Sequence, residues 1–587
     1  MDASTSVVNT IFQKAWGETS AFIGRSRKTG GVDLLILLGM IGLFFGLLEL
    51  RGEWTGSLRP TVTIDLSPWA LPRYAFFSLS RGLLAYLFSL AFTLVYGYWA
   101  AKNRTAERIL VPLLDILQSV PVLGFMPGLV LGLVALFPNS NVGLELAAVV
   151  MIFTGQAWNM TFSFYYSLRS VPKELQDAGV VFRFNWWQRF KWVELPSATM
   201  GLVWNSMMSM AGGWFFLMIS EAFVLGEKDF RLPGVGSYMS VAVARGDVPA
   251  MLWAILAMVV MIVILDQFLW RPVVVWAQKF RIEEDGQQQV MTSWFLDLLR
   301  YSTFARWIKR RSQASKSRPA VVAPKVAIRH ETPGPVGSLG RIIPVIALGA
   351  LTIVLAYGAW RLLGLVRFVS FAQWAGIVGA AFTTLARVLT AVALGTLWAL
   401  PAGLAIGLSP RLSRTLQPVV QVAASFPAPM LFPMVIAVMA WAGIPLGWGS
   451  IVLMLLGTQW YILFNVIAGA MAIPSDLKEA ARTYQIRGWQ RFKILYVPSV
   501  FPYLVTGWVT AAGGAWNASI VSEYVMYKGQ MMAAWGLGAE ISKVAAAAEF
   551  PLLAASVMVM AVMVVLFNRM VWRRFYRMAA DRYSLSR

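Results

Sequence analysis

The sequence contains no cysteine and only one histidine, His330. Without cysteine the chain can form no disulfide and offers neither a thiolate nucleophile nor a thiolate ligand for a metal. One histidine in a polar stretch cannot build a multi-histidine metal site, and such a stretch is a poor place for a Ser-His relay. The chain also lacks the phosphate-binding pattern G-x-x-x-x-G-K-[ST], so we expect no ATP hydrolysis by this chain.

Charged residues are also scarce, at 13% of the sequence against roughly 25% in an average globular protein. Hydrophobic residues make up 58% and lie in long blocks, which the core of a soluble protein does not require. About 20 apolar residues span a bilayer as one helix. The composition therefore excludes a soluble enzyme, a fibrous protein and a disordered chain, and it predicts an all-α polytopic membrane protein.

The apolar blocks define about a dozen candidate transmembrane helices. The polar stretch before the first block contains no short apolar segment with a small-residue cleavage site, so we expect no cleaved signal peptide. The predicted spans are residues 34–50, 75–100, 119–137, 143–168, 197–224 and 250–270, followed by 342–364, 377–407, 425–446, 449–471, 499–524 and 549–571.

Lys and Arg outnumber Asp and Glu, 50 against 28, which gives a formal net charge of +22. No RNA- or DNA-binding motif accompanies this charge, so we expect the basic loops to face anionic membrane lipid and not nucleic acid. The loops at 101–108 and 169–196 are rich in basic residues, whereas the loop at 138–142 carries no charge. By the positive-inside rule both termini face the cytoplasm.

A polar, basic stretch with Pro and Gly interrupts the spans and predicts a cytoplasmic linker at 281–341. It separates a first half, 1–280, from a second half, 342–587. Near 291–309 apolar residues recur at helical spacing, which predicts an amphipathic helix that lies on the membrane surface or packs on a partner. The residues on its apolar face are Trp294, Leu298, Tyr301 and Ile308, and Asp297 and Arg300 lie on another face.

The two halves repeat one another. The run Trp-Gln-Arg-Phe-Lys at 187–191 recurs 302 residues later at 489–493. Further upstream the offset is 306, which pairs Arg81 with Arg387. A fixed offset over more than 100 residues indicates an internal duplication. Because each half has an even number of predicted spans, the halves should point the same way and be related by an axis along the membrane normal.

The longest cytoplasmic loop of each half, 172–196 and 474–498, carries the repeated run. Each loop begins with proline and places acidic residues in the next turn, which predicts the start of a helix. Small residues then offer a low ridge against which another protein can pack. We interpret the loops as docking elements; the alternative is a plain connector. The candidate residues are Asp177, Ala178, Gly179 and Trp187, with Glu479, Ala480, Ala481 and Trp489 in the second half.

These loops resemble the EAA motif in the permease subunits of binding-protein-dependent ABC importers. Glu479-Ala480-Ala481 matches the motif directly, and Asp177-Ala178-Gly179 matches it less closely. Both halves lack the glycine that is usual four residues beyond the second alanine, because Arg183 and Gln485 stand there. Several repeated features look like the nitrate/taurine/sulfonate branch. They are the arginine near the start of the second span (Arg81, Arg387), the Ser-x-Pro on the third span, and the late glutamate (Glu221, Glu523) with its Gly-x-Gly.

The resemblance implies a fused, two-half permease of the type I ABC importer fold, with about 12 transmembrane helices in two parallel six-span repeats in the bacterial inner membrane. It implies two separate ABC ATPase subunits, each gripping one loop, and a periplasmic or lipid-anchored substrate-binding protein. The chain itself would hold no cofactor, since ATP and Mg belong to the ATPase. It also implies transport by alternating access, with a small anion such as nitrate, a sulfonate, taurine or bicarbonate as the small-molecule substrate.

Charged residues at the ends of four spans are a second set of candidate site residues. Arg81 opens the second span and Glu221 closes the fifth, and Arg387 and Glu523 repeat this arrangement. An ionisable group inside a span costs about 2.5–3.5 kcal/mol unless it is paired or faces water. Two interpretations stay open: an Arg–Glu clamp within each half, or a positive potential at the pathway mouth that favours anionic cargo.

Two other classes of function remain as alternatives. A secondary transporter of two six-helix halves, without an ATPase partner, would need buried ionisable residues for its coupling ions. A membrane enzyme would need convergent acids, histidines or metal ligands. Neither of these classes needs a repeated cytoplasmic loop with aromatic and small residues. A scaffold or receptor that transports nothing is a further alternative, but it would leave the duplication unexplained.

Overall fold

The computed structural model describes residues 38–56, 63–280, 293–301 and 360–583, apart from positions 40, 120, 226–227 and 528–529. It also describes residues 349, 353, 357 and 358. His330, most of the linker, most of the predicted span 342–364 and the start of the span 34–50 lie outside the described residues. The domain boundaries 1–280, 281–341 and 342–587 stay a prediction.

The chain forms two compact units. The smaller comprises Met1–Gly52, Gln267–Val275 and Met291–Arg361, and the larger comprises Glu53–Asp266, Trp276–Val290 and Leu362–Arg587. The larger unit contains both repeated loops and all four charged residues singled out above.

The described residues of the first half are mostly helical and include one small hairpin, and residues 41–55 are also helical. In chain order its helices are α1 (Leu71–Phe92), α2 (Tyr98–Lys102), α3 (Arg104–Ser119), α4 (Val122–Leu136), α5 (Val142–Arg169), α6 (Lys173–Val181), α7 (Trp186–Arg189), α8 (Leu195–Glu221), α9 (Val235–Arg245), α10 (Val248–Leu265) and α11 (Arg271–Ala277). The hairpin pairs β1 (Val224–Leu225) with β2 (Lys228–Asp229) in antiparallel register.

The second half repeats this order. After α12 (Trp294–Tyr301) in the linker, its helices are α13 (Phe371–Leu408), α14 (Pro410–Ser425), α15 (Phe432–Trp441), α16 (Leu446–Met471), α17 (Ser475–Thr483), α18 (Gly488–Arg491), α19 (Val497–Ser522), α20 (Leu537–Ala546), α21 (Phe550–Phe567) and α22 (Arg573–Arg582). Its hairpin pairs β3 (Tyr524–Tyr527) with β4 (Gln530–Ala533).

Among the described residues, eight helices are long and apolar enough to cross a membrane, and a bent pair in the second half makes nine. Each of the eight overlaps one predicted span, and several extend beyond it. The bent pair is Pro410–Ser425 with Ala428–Trp441, which meet at 82°.

The third predicted span of each half, 119–137 and 425–446, contains a helical segment that is shorter than the predicted span. In the first half α4 has only 15 residues and follows the separate helix α3. The helix before the break ends in Ser-x-Pro in both halves, and the residue before a proline is pushed towards extended backbone. Phe426 shows this directly, with φ −74° and ψ 128°.

The two halves pack on each other within the larger unit. The backbone N–H of Val122, at the start of α4, donates to the side-chain carbonyl of Asn517 on α19 at 2.9 Å. A Cβ placed on Gly124 would lie 2.8 Å from a methyl group of Val557 on α21, so the glycine allows the close approach. The start of a short first-half helix is therefore held by second-half side chains.

Short π-helical stretches interrupt several long helices. Phe190–Glu194 precedes α8, and Phe492–Tyr496 precedes α19 at the matching position. Each is followed within two residues by a proline, which cannot donate a helical hydrogen bond and crowds the preceding turn. The wider π turn keeps the helix continuous there, so the end of each repeated loop runs directly into a span.

The predicted amphipathic helix is present in part as α12. The indole N–H of Trp294 donates to the side chain of Gln267 at 2.9 Å, and the rings of Phe295 and Phe268 lie 4.7 Å apart. These contacts of α12 therefore lie within the smaller of the two compact units. Ile308 and the rest of the predicted helix lie outside the described residues.

Candidate functional site

The first half contains a buried ion cluster around Arg81 on α1. The guanidinium Nε and Nη2 each lie 2.6 Å from a carboxylate oxygen of Glu145, and Nη1 lies 2.7 Å from Glu221 and 2.8 Å from the carbonyl of Pro233. All three side chains are fully buried. Arg81 therefore satisfies two carboxylates that come from different helices, α5 and α8.

Glu221 also ties the end of α8 to the start of α9. Its carboxylate accepts from the hydroxyl of Ser78 at 2.7 Å and from the backbone N–H of Gly236 at 2.8 Å. The Ser78 hydroxyl accepts in turn from the N–H of Val235 at 3.0 Å. A Cβ on Gly234 would collide with the Glu221 carboxylate, so only glycine fits beside it.

The second half repeats this cluster with one change. Nη1 of Arg387 lies 2.8 Å from Glu523 and 3.1 Å from the carbonyl of Trp535. Thr384 takes the part of Ser78: its hydroxyl donates to Glu523 at 2.9 Å and accepts from the N–H of Leu537 at 2.8 Å. Gly447 stands at the place of Glu145, so Glu523 is the one carboxylate that contacts Arg387 among the described residues.

The structure thus brings together the charged residues in the pairs Arg81–Glu221 and Arg387–Glu523. Three participants were missed by the sequence reasoning: Glu145, Ser78 and Thr384. Ser78 and Thr384 carried a signal, because both are hydroxyl residues at the offset of 306 and lie three residues before the arginine. Glu145 carried no such signal, because it is not repeated.

The repeated loops form the second candidate site, and each folds as a helix, a tight turn and a second short helix. After α6, Arg183 has φ +52°, and after α17, Gln485 has φ +55°. The N–H groups of the next residues, Phe184 and Ile486, donate five residues back along the chain at 2.9 Å. This is the Schellman cap, in which glycine is the usual left-handed residue.

The left-handed residues stand where the motif that these loops resemble usually has glycine. A left-handed conformation costs a non-glycine residue roughly 1–2 kcal/mol, so Arg183 and Gln485 hold the expected turn at that cost. Both loops therefore form a left-handed turn without glycine.

The two small residues of each loop face different ways. Ala480 is exposed, whereas Ala481 is only 5% exposed. In the first half Gly179 is buried, and a Cβ placed on it would lie 3.7 Å from Phe184 of the same loop. The expectation that both small residues form an outer ridge was therefore wrong for Ala481 and Gly179, because helical periodicity turns the second one inward.

The remaining candidate residues of the loops lie on the outside. Asp177 and Glu479 are exposed, and Ala178 is half-buried. Trp187 and Trp489 are exposed and stack on the phenylalanine three residues on, with ring centroids 5.8 and 4.9 Å apart. The tryptophans therefore pack along the second short helix and stay largely exposed.

The two loops are held to their spans by different side chains. In the first half the buried Glu194 lies 2.6 Å from Lys102 and 3.1 Å from Arg189. In the second half Tyr496 stands in place of Glu194, and the guanidinium of Arg491 lies over its ring at 5.3 Å. An ion triad in one half corresponds to a cation–π contact in the other.

Burial, with the charge of Arg491 nearby, lowers the pKa of Lys478 on α17 below its ordinary value.

Across the described part of the chain, no group of three or more His, Cys, Asp or Glu side chains is placed to hold a metal ion.

Comparison with known proteins identifies the class. The family model described as "Binding-protein-dependent transport system inner membrane component" matches residues 93–269 and again residues 391–574, together more than half of the chain. The chain belongs to this family and carries its domain twice. The predicted family, the duplication and the all-α polytopic permease fold are therefore confirmed, and the chain is a multi-pass inner-membrane protein.

Individual relatives match only part of the chain. Bicarbonate transport system permease protein CmpB of Synechocystis sp. is 27% identical over 157 residues, 26% of this chain and 52% of the relative. Nitrate import permease protein NrtB of Synechococcus elongatus is 29% identical over 142 residues, 24% of this chain and 50% of the relative. Glycine betaine/carnitine transport permease protein GbuB of Listeria monocytogenes is 27% identical over 238 residues, 40% of this chain and 78% of the relative. The chain spans about half the length of the bicarbonate and nitrate relatives.

Proposed function

We propose that this protein forms the transmembrane pathway of an ATP-driven importer, and that its two repeated loops each receive one ATPase subunit. The observation that carries this proposal is the shared geometry of the loops. Both form a helix, a left-handed turn and a second helix, although their sequences differ at most positions. A common conformation kept by different residues supports a common docking role.

The proposed coupling follows the long helices. Each loop continues without a break through a π turn into a span, Trp186–Glu221 in the first half and Gly488–Ser522 in the second. The span ends at, or one residue before, the buried glutamate that fixes the next helix. A displacement of the loop by an ATPase would therefore move the far end of the same helix, and alternating access would follow from rocking of the two halves.

For the cargo we propose a small anion. Two of the relatives are named for bicarbonate and nitrate, and a substrate-binding protein would deliver the solute from outside. In the orientation that the basic loops predict, both termini face the cytoplasm, where the ATPase subunits bind ATP and Mg²⁺.

The absence of cysteine from the sequence gives a direct test of docking. Ala480→Cys and Ala178→Cys each introduce a single thiol on a loop. Ala442→Cys is the matched control, because Ala442 is exposed at the opposite end of α16 from the loop. We expect a thiol-reactive photocrosslinker at residues 178 and 480, but not at 442, to capture an ABC ATPase in native membranes. No capture from either loop of a folded protein would refute the proposed docking.

Solute and energy source are tested together in proteoliposomes that hold the chain, the ATPase and the binding protein. We expect uptake of labelled bicarbonate, nitrate or an alkanesulfonate that requires ATP on the loop side and continues when ionophores collapse all ion gradients. Uptake that an ion gradient drives without ATP would instead identify a secondary transporter.

A further inference from the structure

The two arginine clusters differ in how much of the guanidinium they occupy. Every nitrogen of Arg81 has an acceptor, and Glu145 takes the Nε and Nη2 edge with one oxygen on each, both at 2.6 Å. This paired contact is the preferred geometry between a guanidinium and a planar carboxylate.

Arg387 uses only one of its nitrogens. Nη1 donates to Glu523 and to the carbonyl of Trp535, and no described residue accepts from Nε or Nη2. The side chain of Arg387 is 11% exposed, whereas that of Arg81 is completely buried. The same edge that is filled in the first half is therefore open and accessible in the second.

The open edge results from a single missing side chain. At the offset of 302, Glu145 in the first turn of α5 corresponds to Gly447 in the first turn of α16. A Cβ placed on Gly447 would lie 3.5 Å from Nη2 of Arg387, an ordinary contact distance. A side chain at position 447 would thus start beside the open edge of Arg387, and the glycine leaves that space free.

We propose that Nε and Nη2 of Arg387 bind one planar oxyanion, of the carboxylate, bicarbonate or nitrate class, in the place that Glu145 fills in the first half. The first half supplies the template for the contact: two parallel N–H···O bonds to a flat, three-coordinate group. The charges agree as well. Arg81 with two carboxylates carries a net charge of −1, and Arg387 with Glu523 is neutral until one monoanion is added.

The site lies at the end of α16 away from its loop, which is the outer side in the proposed orientation. The inference that this oxyanion is also the cargo rests on the proposed function, whereas the binding site itself does not. A phosphate of an anionic lipid headgroup is the other source of an oxyanion at this depth, and the experiment below separates the two.

The test uses the full chain, purified in a non-ionic detergent without added lipid, and follows thermal unfolding. Sodium formate, bicarbonate and nitrate are each compared with sodium chloride at equal ionic strength. We expect the melting temperature to rise and to saturate with each planar anion but not with chloride. An equal response to chloride, or no saturable response to any of the three, would overturn the proposal.

Substitutions at Gly447 locate the effect. Gly447→Glu should restore the first-half arrangement, raise the melting temperature in chloride and abolish the response to formate, bicarbonate and nitrate. Gly447→Ala is the control and should keep the response. If Gly447→Glu still responds like the unsubstituted chain, the anion binds elsewhere and the proposal is wrong.

A reciprocal substitution and a lipid arm complete the test. Glu145→Gly should create a second open edge, and formate should recover part of the melting temperature that this variant loses. Added phosphatidylglycerol should leave the nitrate response unchanged; if it raises the melting temperature through Gly447 and removes the nitrate response, the ligand is a lipid headgroup. None of these measurements depends on transport, so failure here is distinct from failure of the importer proposal.

Discussion

Arg81 and Arg387 occupy the same position in two halves of one chain, yet their surroundings differ. The elements around them are the same: a hydroxyl three residues earlier, a glutamate at the end of a span and a glycine pressed against it. These contacts hold the backbone, and both halves retain them. The second carboxylate is a side chain added from another helix, and only the first half has it. The duplication therefore preserves these backbone-holding contacts and varies the number of carboxylates around the arginine.

The two repeated loops likewise share their backbone contacts and differ in their side chains. Their backbones are capped alike, but matching exposed positions differ in polarity. Val180 and Val181 of the first loop are exposed and correspond to Arg482 and Thr483 of the second. The first loop therefore presents more apolar surface than the second, and exposed apolar patches mark contact sites. The two ATPase contacts should differ in chemistry although their geometry is shared.

Removal of the arginine side chains should have the largest effect. Arg81→Ala leaves two buried carboxylates unpaired, and breaking a buried ion pair costs about 3–5 kcal/mol. Arg387→Ala leaves one buried carboxylate unpaired instead of two, so its loss of stability should be smaller. Thermal unfolding in detergent measures both, with the exposed Arg245→Ala as the control. Equal losses for Arg81 and Arg387 would contradict the difference drawn between the halves.

The next effect concerns the small residues of the second loop. Ala480→Trp should leave the melting temperature unchanged and reduce ATP-driven uptake at least about ten-fold, because the added side chain blocks close packing. Ala481→Trp should instead lower the stability by about 1–3 kcal/mol, because Ala481 is buried in its own loop. Normal uptake by a folded Ala480→Trp protein would remove the basis for the docking ridge.

A smaller effect should follow from exchanging loop polarity. Val181→Thr and Thr483→Val are nearly isosteric and stand at matching positions. We expect the first to weaken ATPase capture roughly three- to five-fold and the second to strengthen it by a similar factor, because burial of one apolar group is worth about 1 kcal/mol. Capture from Ala178→Cys and Ala480→Cys, titrated with ATPase, gives the measurement. Changes of the opposite sign would show that the exposed valines do not reach the ATPase.

The smallest effect concerns the turn before the last span of each half. Gly246 has φ +68°, and its counterpart Ala548 has φ +57°. Ala548→Gly should raise stability, and Gly246→Ala should lower it, each by about 1 kcal/mol or less. Nothing lies within 4 Å of a Cβ on Gly246, so the change reports the backbone alone. Shifts of the same sign in both variants would argue against this account.

The repeat made much of the fold and part of the site predictable. The pairs Arg81–Glu221 and Arg387–Glu523 could be proposed because ionisable groups near span ends need partners and occurred twice at fixed offsets. Glu145 could not, because an unrepeated acid in the first turn of a helix looks like an ordinary helix-dipole partner. Its distance to Arg81 depends on how α1 and α5 pack, which no local pattern shows.

Other differences have equally local causes. The Ser-x-Pro before each short third helix was recognised as a family feature but not as a break, although the extended preference before proline predicts one. The inward turn of Ala481 follows from the direction of its helix, which depends on where the first loop helix starts and how it packs. The apolar count of the third block gave no sign of the 82° bend between α14 and the helical residues after it.

The π turns at Phe190–Glu194 and Phe492–Tyr496 set the direction in which each loop faces relative to its span. A π turn holds one residue more than the α turn it replaces, and one residue is about 100° of rotation around a helix. Both turns stand at the same offset of 302, so both halves carry the same extra residue at this point. The direction in which the tryptophans of each loop face thus depends on this extra residue. Deleting one residue there would rotate the loop by about 100° around the helix axis.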